Sequence, residues 1–154
     1  NEMDDFSAEP GAPNAFGLVG AEANAVAPGK RPLSSMSPTI VLLDGKPVFT
    51  VGAAGGPTII SQVVLAIVHF IDHEMTPNQA LDQARFHHQW KPNWLLVEKR
   101  LGQTTIDALR SIGHTVKATD SIGAAQAIGL GQNGTAFIGS ADPRGRGVFK
   151  VNRN

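Results

Sequence analysis

Apolar and polar positions along the chain switch between two periods. A β-branched apolar run at Thr39–Leu43 meets Asp44-Gly45, and a second apolar run follows at 47–51. Asp-Gly between two such runs predicts a β-hairpin with a two-residue turn. After a small-residue stretch, Gly52-Ala53-Ala54-Gly55-Gly56-Pro57, the pattern changes. Ile60, Val64, Ile67, Val68 and Ile71 recur at helical spacing, which predicts a helix over 58–72, opened by Pro57 or Thr58. Thr76, Pro77 and Gln79 form a capping-box signature and predict a second helix over 76–84. A short strand is expected at Leu95–Glu98, a helix over 104–112 closed by Gly113, and a strand over 114–118. Apolar runs at 125–130 and 135–138 flank Gln132-Asn133-Gly134, a second hairpin signal.

The order of elements is therefore hairpin, helix, helix, strand, helix, strand, hairpin. Helices mixed with hairpins predict an α+β fold or a layered sandwich with antiparallel sheet. Residues 1–38 carry little periodicity, and an aperiodic stretch of that length is commonly functional or disordered. With 42% hydrophobic and 17% charged residues, the 154-residue chain is expected to form one globular domain with a real core.

Charge and cysteine content remove several function classes. The formal net charge is +0, so there is no basic excess to neutralise phosphates and nucleic acid is not expected as a partner. Arg144, Arg146, Lys150 and Arg153 near the end read as a solvated basic tail. The absence of cysteine excludes thiol catalysis and Cys-ligated zinc within the chain. It leaves the compartment open, since both cytosol and periplasm accommodate it. No apolar stretch reaches the roughly 18 residues a membrane span needs.

Three constellations can carry chemistry. A strand leads into Gly55-Gly56 and then a helix, so free backbone N–H groups there can donate to a phosphate, a carboxylate or the oxyanion of acyl transfer, or the glycines can simply make a tight turn. Glu2, Asp4 and Asp5 can hold an ammonium group or a metal, or stand as a solvated acidic loop, and an extended backbone would point Asp4 and Asp5 apart. Ser34-Ser35-Met36-Ser37 lies between Pro32 and Pro38; its hydroxyls can donate to a carboxylate or serve ordinary turns, and no nucleophile elbow surrounds them. The five histidines are expected to be structural: His73-Glu74 starts like a zinc motif, but position 77 is proline. No metal or other cofactor is expected.

The strings Asn1-Glu2-Met3-Asp4-Asp5-Phe6, Arg31-Pro32-Leu33-Ser34-Ser35-Met36-Ser37-Pro38-Thr39, Gly55-Gly56, Ala84-Arg85-Phe86-His87-His88-Gln89-Trp90 and Asp142-Pro143-Arg144 occur in this order. Together they resemble the small subunit of γ-glutamyltranspeptidases across nearly the whole chain. The resemblance implies an N-terminal-nucleophile hydrolase fold, a four-layer αββα sandwich, present here in part and without the first strands of the small subunit. It implies a precursor that cleaves itself into large and small subunits. The new N-terminal threonine attacks a γ-glutamyl amide, commonly glutathione, and the acyl group passes to an amino acid, a peptide or water. By the same resemblance, Glu2 and Asp5 hold the donor's α-amino group and Ser34 and Ser35 its α-carboxylate. Gly55 and Gly56 form the oxyanion hole, Met36 packs beneath the serine loop, and Arg85 to Trp90 are structural.

The chain begins with Asn1, whose amide is no nucleophile, so the family's threonine is expected upstream and the chain is expected to be part of a small subunit. A further donor-site Asn and a carboxylate-binding Arg are expected from upstream sequence and the large subunit. The resemblance also implies a periplasmic or extracellular setting. Two other readings compete. A related acylase would act on a glutaryl-β-lactam or on poly-γ-glutamate, but a glutaryl donor has no α-amino group for Glu2 and Asp5 to hold. A binding fragment would grip an amino acid without chemistry, and the isolated chain is expected to be inactive.

Overall fold

The computed structural model describes residues 3–131 and 134–147. The first hairpin forms where the pattern places it, as β1 (Thr39–Leu43) and β2 (Lys46–Ala54). Asp44 and Gly45 both take positive φ, 51° and 75°, which is the backbone a type I′ turn requires. β2 runs three residues further than the apolar pattern suggested, because Gly52, Ala53 and Ala54 stay paired with β6 (Ala124–Leu130). β7 (Phe137–Ala141) completes an antiparallel sheet in the order β1-β2-β6-β7. The β6–β7 hairpin is thus present, while the Gln132-Asn133 part of its expected turn lies outside the described residues.

α1 (Thr58–Ile71) buries Ile59, Gln62, Val63 and Ala66, a single stripe at helical spacing. That stripe meets Phe49 and Val51 of β2 and Ala125 and Ala127 of β6 to make the main core. Phe70 near the end of α1 stacks on Phe49 with ring centroids 4.3 Å apart. The opposite face of the sheet carries Ile40, Ile128 and Phe137, which are 68%, 40% and 57% exposed, so among the described residues the sheet is covered on one side only.

α2 (Pro77–Asp82) opens with the expected capping box: Gln79 N–H donates to Thr76 Oγ1 at 3.4 Å, and Thr76 N–H donates to Gln79 Oε1 at 2.9 Å. Thr76→Ala is expected to cost about 1 kcal/mol, read as a lowered denaturant midpoint; an unchanged midpoint would show that the box adds nothing. A second, three-stranded sheet joins β3 (Phe86–His87), β4 (Leu95–Glu98) and β5 (Val116–Thr119), with α3 (Gln103–Ser111) packed on it through Ile106. The β4–β5 pair is parallel and β3–β4 antiparallel, so this smaller sheet is mixed. β3 has only two residues, too short for a periodic signal.

Residues 3–38 of the aperiodic N-terminal segment fold into turns and loops rather than regular strands or long helices. Its 3-10 turns at Met3–Asp5 and Glu22–Asn24 are joined by bridges such as Ser7 to Ala25. The serine loop at 33–38 is outside regular structure and leads into β1.

Candidate functional site

The residues singled out from sequence come from three segments, and hydrogen bonds link these in series. Asp5 ends the first 3-10 turn, half-buried, whereas Asp4 is exposed. They therefore differ in exposure, as an extended backbone would also have made them, but through a 3-10 turn. Asn24 Nδ2 donates to the Asp5 carbonyl at 2.7 Å, and Leu33 N–H donates to Asn24 Oδ1 at 3.0 Å. Asn24 is buried and ties the acidic segment to the start of the serine loop. Sequence reasoning passed over it, because an Asn in an aperiodic stretch carries no local signal.

At the far end of the loop, Ser35 Oγ donates to the Gly56 carbonyl at 3.0 Å and fastens the loop to the glycine turn. The Ser34 oxygen accepts from Met36 N–H at 3.2 Å, and its hydroxyl donates to no acceptor among the described residues. The two serines therefore differ: Ser34 has a proton to offer a ligand, and Ser35 has given its proton to the backbone. Met36 does not pack beneath the loop. It is 58% exposed, because the Ser34 and Ser37 hydroxyls satisfy the loop backbone and turn this side chain outward. Glu2 lies outside the described residues.

Asp5, Asn24 and Leu33 line a cavity of about 410 Å³. Ser35 lines a different one of about 190 Å³ with Pro57, Ser61 and His87, and Leu18 borders both. Thus Asp5 and the serine pair are neighbours through Asn24 and Leu18 rather than walls of one enclosed cavity.

The glycine turn is held from beneath. Gly55 and Gly56 have φ of 140° and 57°, a region that favours glycine. The Ala54 carbonyl accepts from Gln62 Nε2 at 3.1 Å, and the Gly55 carbonyl accepts from Thr58 Oγ1 at 2.8 Å. The N–H groups of Gly55 and Gly56 donate to no acceptor among the described residues. From above, the Phe16 ring closes over Gly56, where a Cβ would lie 2.9 Å from it. Phe16 is itself held by Gln89 Nε2, which donates to its carbonyl at 3.0 Å. Gln89 Oε1 faces His87 Nε2 at 3.0 Å, and His87 Nδ1 faces Ser61 Oγ at 2.8 Å. Because Gln89 Oε1 can only accept, His87 donates to it through Nε2, and the ring is held between Gln89 and Ser61 in a structural role.

Below the turn lies a buried ionic network. Arg85 Nη1 donates to Gln62 Oε1 at 3.2 Å and to the Ile122 carbonyl at 3.0 Å, while Nη2 pairs with Asp142. Arg144 pairs with Glu98 at 2.6 Å and Asp142 at 3.2 Å, and donates to the carbonyls of Leu81 and Gln83. The four side chains are no more than 5% exposed and their charges cancel. Burial alone would raise the Glu98 carboxyl, but the Arg144 guanidinium and the N–H groups of Ile122 and Arg85 outweigh it and hold it below the usual range. Asp142 is likewise held low against burial by the N–H groups of Arg144 and Ala125 and by Arg85. Arg144 is thus no part of a solvated tail. Apart from Asp142, two residues away, its partners lie 46 to 63 residues away along the chain, out of reach of any reading of local composition. No group of three or more His, Cys, Asp or Glu that could hold a metal occurs among the described residues.

The architecture and the turn fit an N-terminal-nucleophile hydrolase, and solved γ-glutamyltranspeptidases share it. The Helicobacter pylori γ-glutamyltranspeptidase T380A mutant superposes with a TM-score of 0.87 at 44% identity, covering 94% of this chain and 80% of that one. The Pseudomonas nitroreducens enzyme complexed with L-DON gives 0.89 at 38% identity, covering 99% and 80%. The sequence profile of the gamma-glutamyltranspeptidase family matches residues 1–151, so this chain belongs to that family. The glutathione hydrolase proenzyme of Escherichia coli (strain K12) is 48% identical over 144 residues, which is 94% of this chain and 25% of that protein. The chain spans about a quarter of the length of the curated relatives it matches. No helix among the described residues is long and apolar enough to cross a membrane.

Proposed function

We propose that the complete protein transfers or hydrolyses the γ-glutamyl group of glutathione and related γ-glutamyl amides through a γ-glutamyl-enzyme. In this reading the 154 residues supply donor binding and the oxyanion hole. The observation that supports it is the serial linkage Asp5–Asn24–Leu33 and Ser35–Gly56, which ties together the three segments that bear the Asp5 carboxylate, the Ser34 hydroxyl and the Gly55 and Gly56 amides. A carboxylate suits the donor's ammonium group, a serine hydroxyl suits its carboxylate, and backbone N–H groups suit the negative charge that builds on the attacked carbonyl. Glu2 belongs with Asp5 in the ammonium clamp. The names of the relatives point the same way, since proteins sharing 48% and 41% of these residues are called glutathione hydrolase proenzymes.

The partner is the large subunit of the same precursor. The exposed face with Ile40, Ile128 and Phe137 is where a second sheet would stack to complete the sandwich. The acceptor is an amino acid, a peptide or water, and the setting is periplasmic or extracellular. The nucleophile in this reading is a threonine, and the isolated 154 residues are expected to show no turnover.

The test is a chromogenic γ-glutamyl anilide assay on the full-length protein with Asp5→Ala. A charge-assisted hydrogen bond is worth about 1.5–3 kcal/mol, so donor KM is expected to rise roughly 10- to 100-fold. An unchanged donor KM would remove Asp5 from the clamp. Absence of turnover by the wild-type protein would remove the function itself.

A further inference from the structure

We infer that Gln62 is the positioning residue of the oxyanion turn, aiming both glycine amides through the two peptide planes it controls. The inference rests on the γ-glutamyl-transfer reading and names how its electrophilic site is kept in shape.

Gln62 sits at a place where an apolar residue would be expected. It lies on the buried stripe of α1, between Ile59 and Ala66, and is 1% exposed. A buried amide is retained only where its donors and acceptor are satisfied, and each of its bonds leads to the turn or to the network that supports it. Nε2 donates to the Ala54 carbonyl at 3.1 Å and to Thr58 Oγ1 at 3.0 Å. Thr58 Oγ1 in turn donates to the Gly55 carbonyl at 2.8 Å. Oε1 accepts from Arg85 Nη1 at 3.2 Å, which fixes which end of the amide faces the turn.

The consequence follows from peptide planarity. In a trans peptide the C=O of one residue and the N–H of the next point in opposite directions. Drawing the Ala54 carbonyl down onto Gln62 turns the Gly55 N–H the other way. Drawing the Gly55 carbonyl down onto Thr58, whose hydroxyl Gln62 orients, does the same for the Gly56 N–H. One side chain thus governs two successive amides, the pair that would meet the developing oxyanion.

Space for this contact is provided on the far side by Gly123. A Cβ there would come within 2.0 Å of Gln62 Nε2 and 2.5 Å of the Ala54 carbonyl oxygen. Asp5 and Ser34 make none of these bonds; the serine loop meets the turn through Ser35 Oγ on the Gly56 carbonyl, one peptide beyond the two planes that Gln62 and Thr58 hold, so ground-state gripping of the donor should change less than the oxyanion site.

The experiment compares the full-length wild-type protein with Gln62→Met, which keeps the volume and removes the amide, and with Thr58→Val, which removes the intermediate hydroxyl. Measured are kcat and KM on the γ-glutamyl anilide, and the affinity of a boronic acid analogue of the γ-glutamyl group, tetrahedral when bound. Gln62→Met is expected to lower kcat about 10- to 100-fold, less than outright loss of an oxyanion donor costs, with donor KM within about twofold. Boronate affinity is expected to fall in step with kcat. Thr58→Val should show a smaller loss of the same kind, and the double variant should lose less than the two factors multiplied, because both act on one turn. Should Gln62→Met fail to assemble, Thr58→Val carries the test alone. Wild-type kcat in the variants, a loss confined to KM, or a kcat loss with boronate affinity intact would overturn the inference, while turnover by the wild-type protein keeps the functional reading standing.

Discussion

Asp142→Ala is expected to destabilise the folded protein by about 3–5 kcal/mol, the cost of breaking a buried ion pair and leaving charge uncompensated. Asp142 accepts from Arg85 Nη2 and from Ala125 N–H with one oxygen, and from Arg144 N–H and Nη1 with the other. Removing it orphans a backbone donor of β6 and leaves two guanidinium groups facing the single carboxylate of Glu98 within a site sealed from water. The denaturant midpoint of the processed protein is the readout, and a loss under about 1 kcal/mol would show that the network relaxes or hydrates easily. The same pair makes a pH prediction. Both carboxyls are held lower in the fold than in the unfolded chain. Their contribution is therefore present in full above the unfolded value, near 4, and is lost as pH falls from there through the depressed folded values. Unfolding of the wild-type protein should become easier across that acid window, and Asp142→Ala should show a flatter dependence.

Arg144 and Gln62 mark where sequence reading ends. The elements governed by local rules were legible: Asp44-Gly45 made its turn, Thr76 and Gln79 made their capping box, and α1 spans Thr58–Ile71 against an expected 58–72. The candidate site was proposed from whole motifs, because Ser34-Ser35 and Gly55-Gly56 each fall within a few residues of sequence. What was hidden is what joins the motifs. Asn24 reaches 19 residues back to Asp5, and Arg144 reaches 46 back to Glu98. Such bonds are set by tertiary packing and leave no period or spacing in the chain. A partial signal did exist: Gln62 interrupts an apolar helical run at a position facing the sheet, and a polar residue there demands partners. Its distance of four residues from Thr58 places both on one helix face, pointing back to the glycine turn.

The second large effect is expected at the turn itself, in Gly55→Ala, with kcat on the γ-glutamyl anilide falling about 10²–10³-fold. The added methyl would lie 2.5 Å from Thr58 Oγ1, 3.0 Å from Gln62 Nε2 and 3.2 Å from Gly123 Cα, and the backbone sits at φ 140°. The first two neighbours are the groups that pin the Ala54 and Gly55 carbonyls, so the substitution cannot be absorbed without releasing the bonds that direct the amides. The strain also favours a return of residue 55 to negative φ, which rotates the same peptide planes. Asp5 and Ser34 make no bond to residue 55, and the loop is tied to the turn at the Gly56 carbonyl instead, so KM should move less than kcat. The split separates two roles for the glycines: an oxyanion hole loses kcat and keeps KM, whereas a turn that merely shapes the donor pocket would lose KM instead. A Gly55→Ala enzyme with wild-type kcat would show that these amides do not meet the transition state.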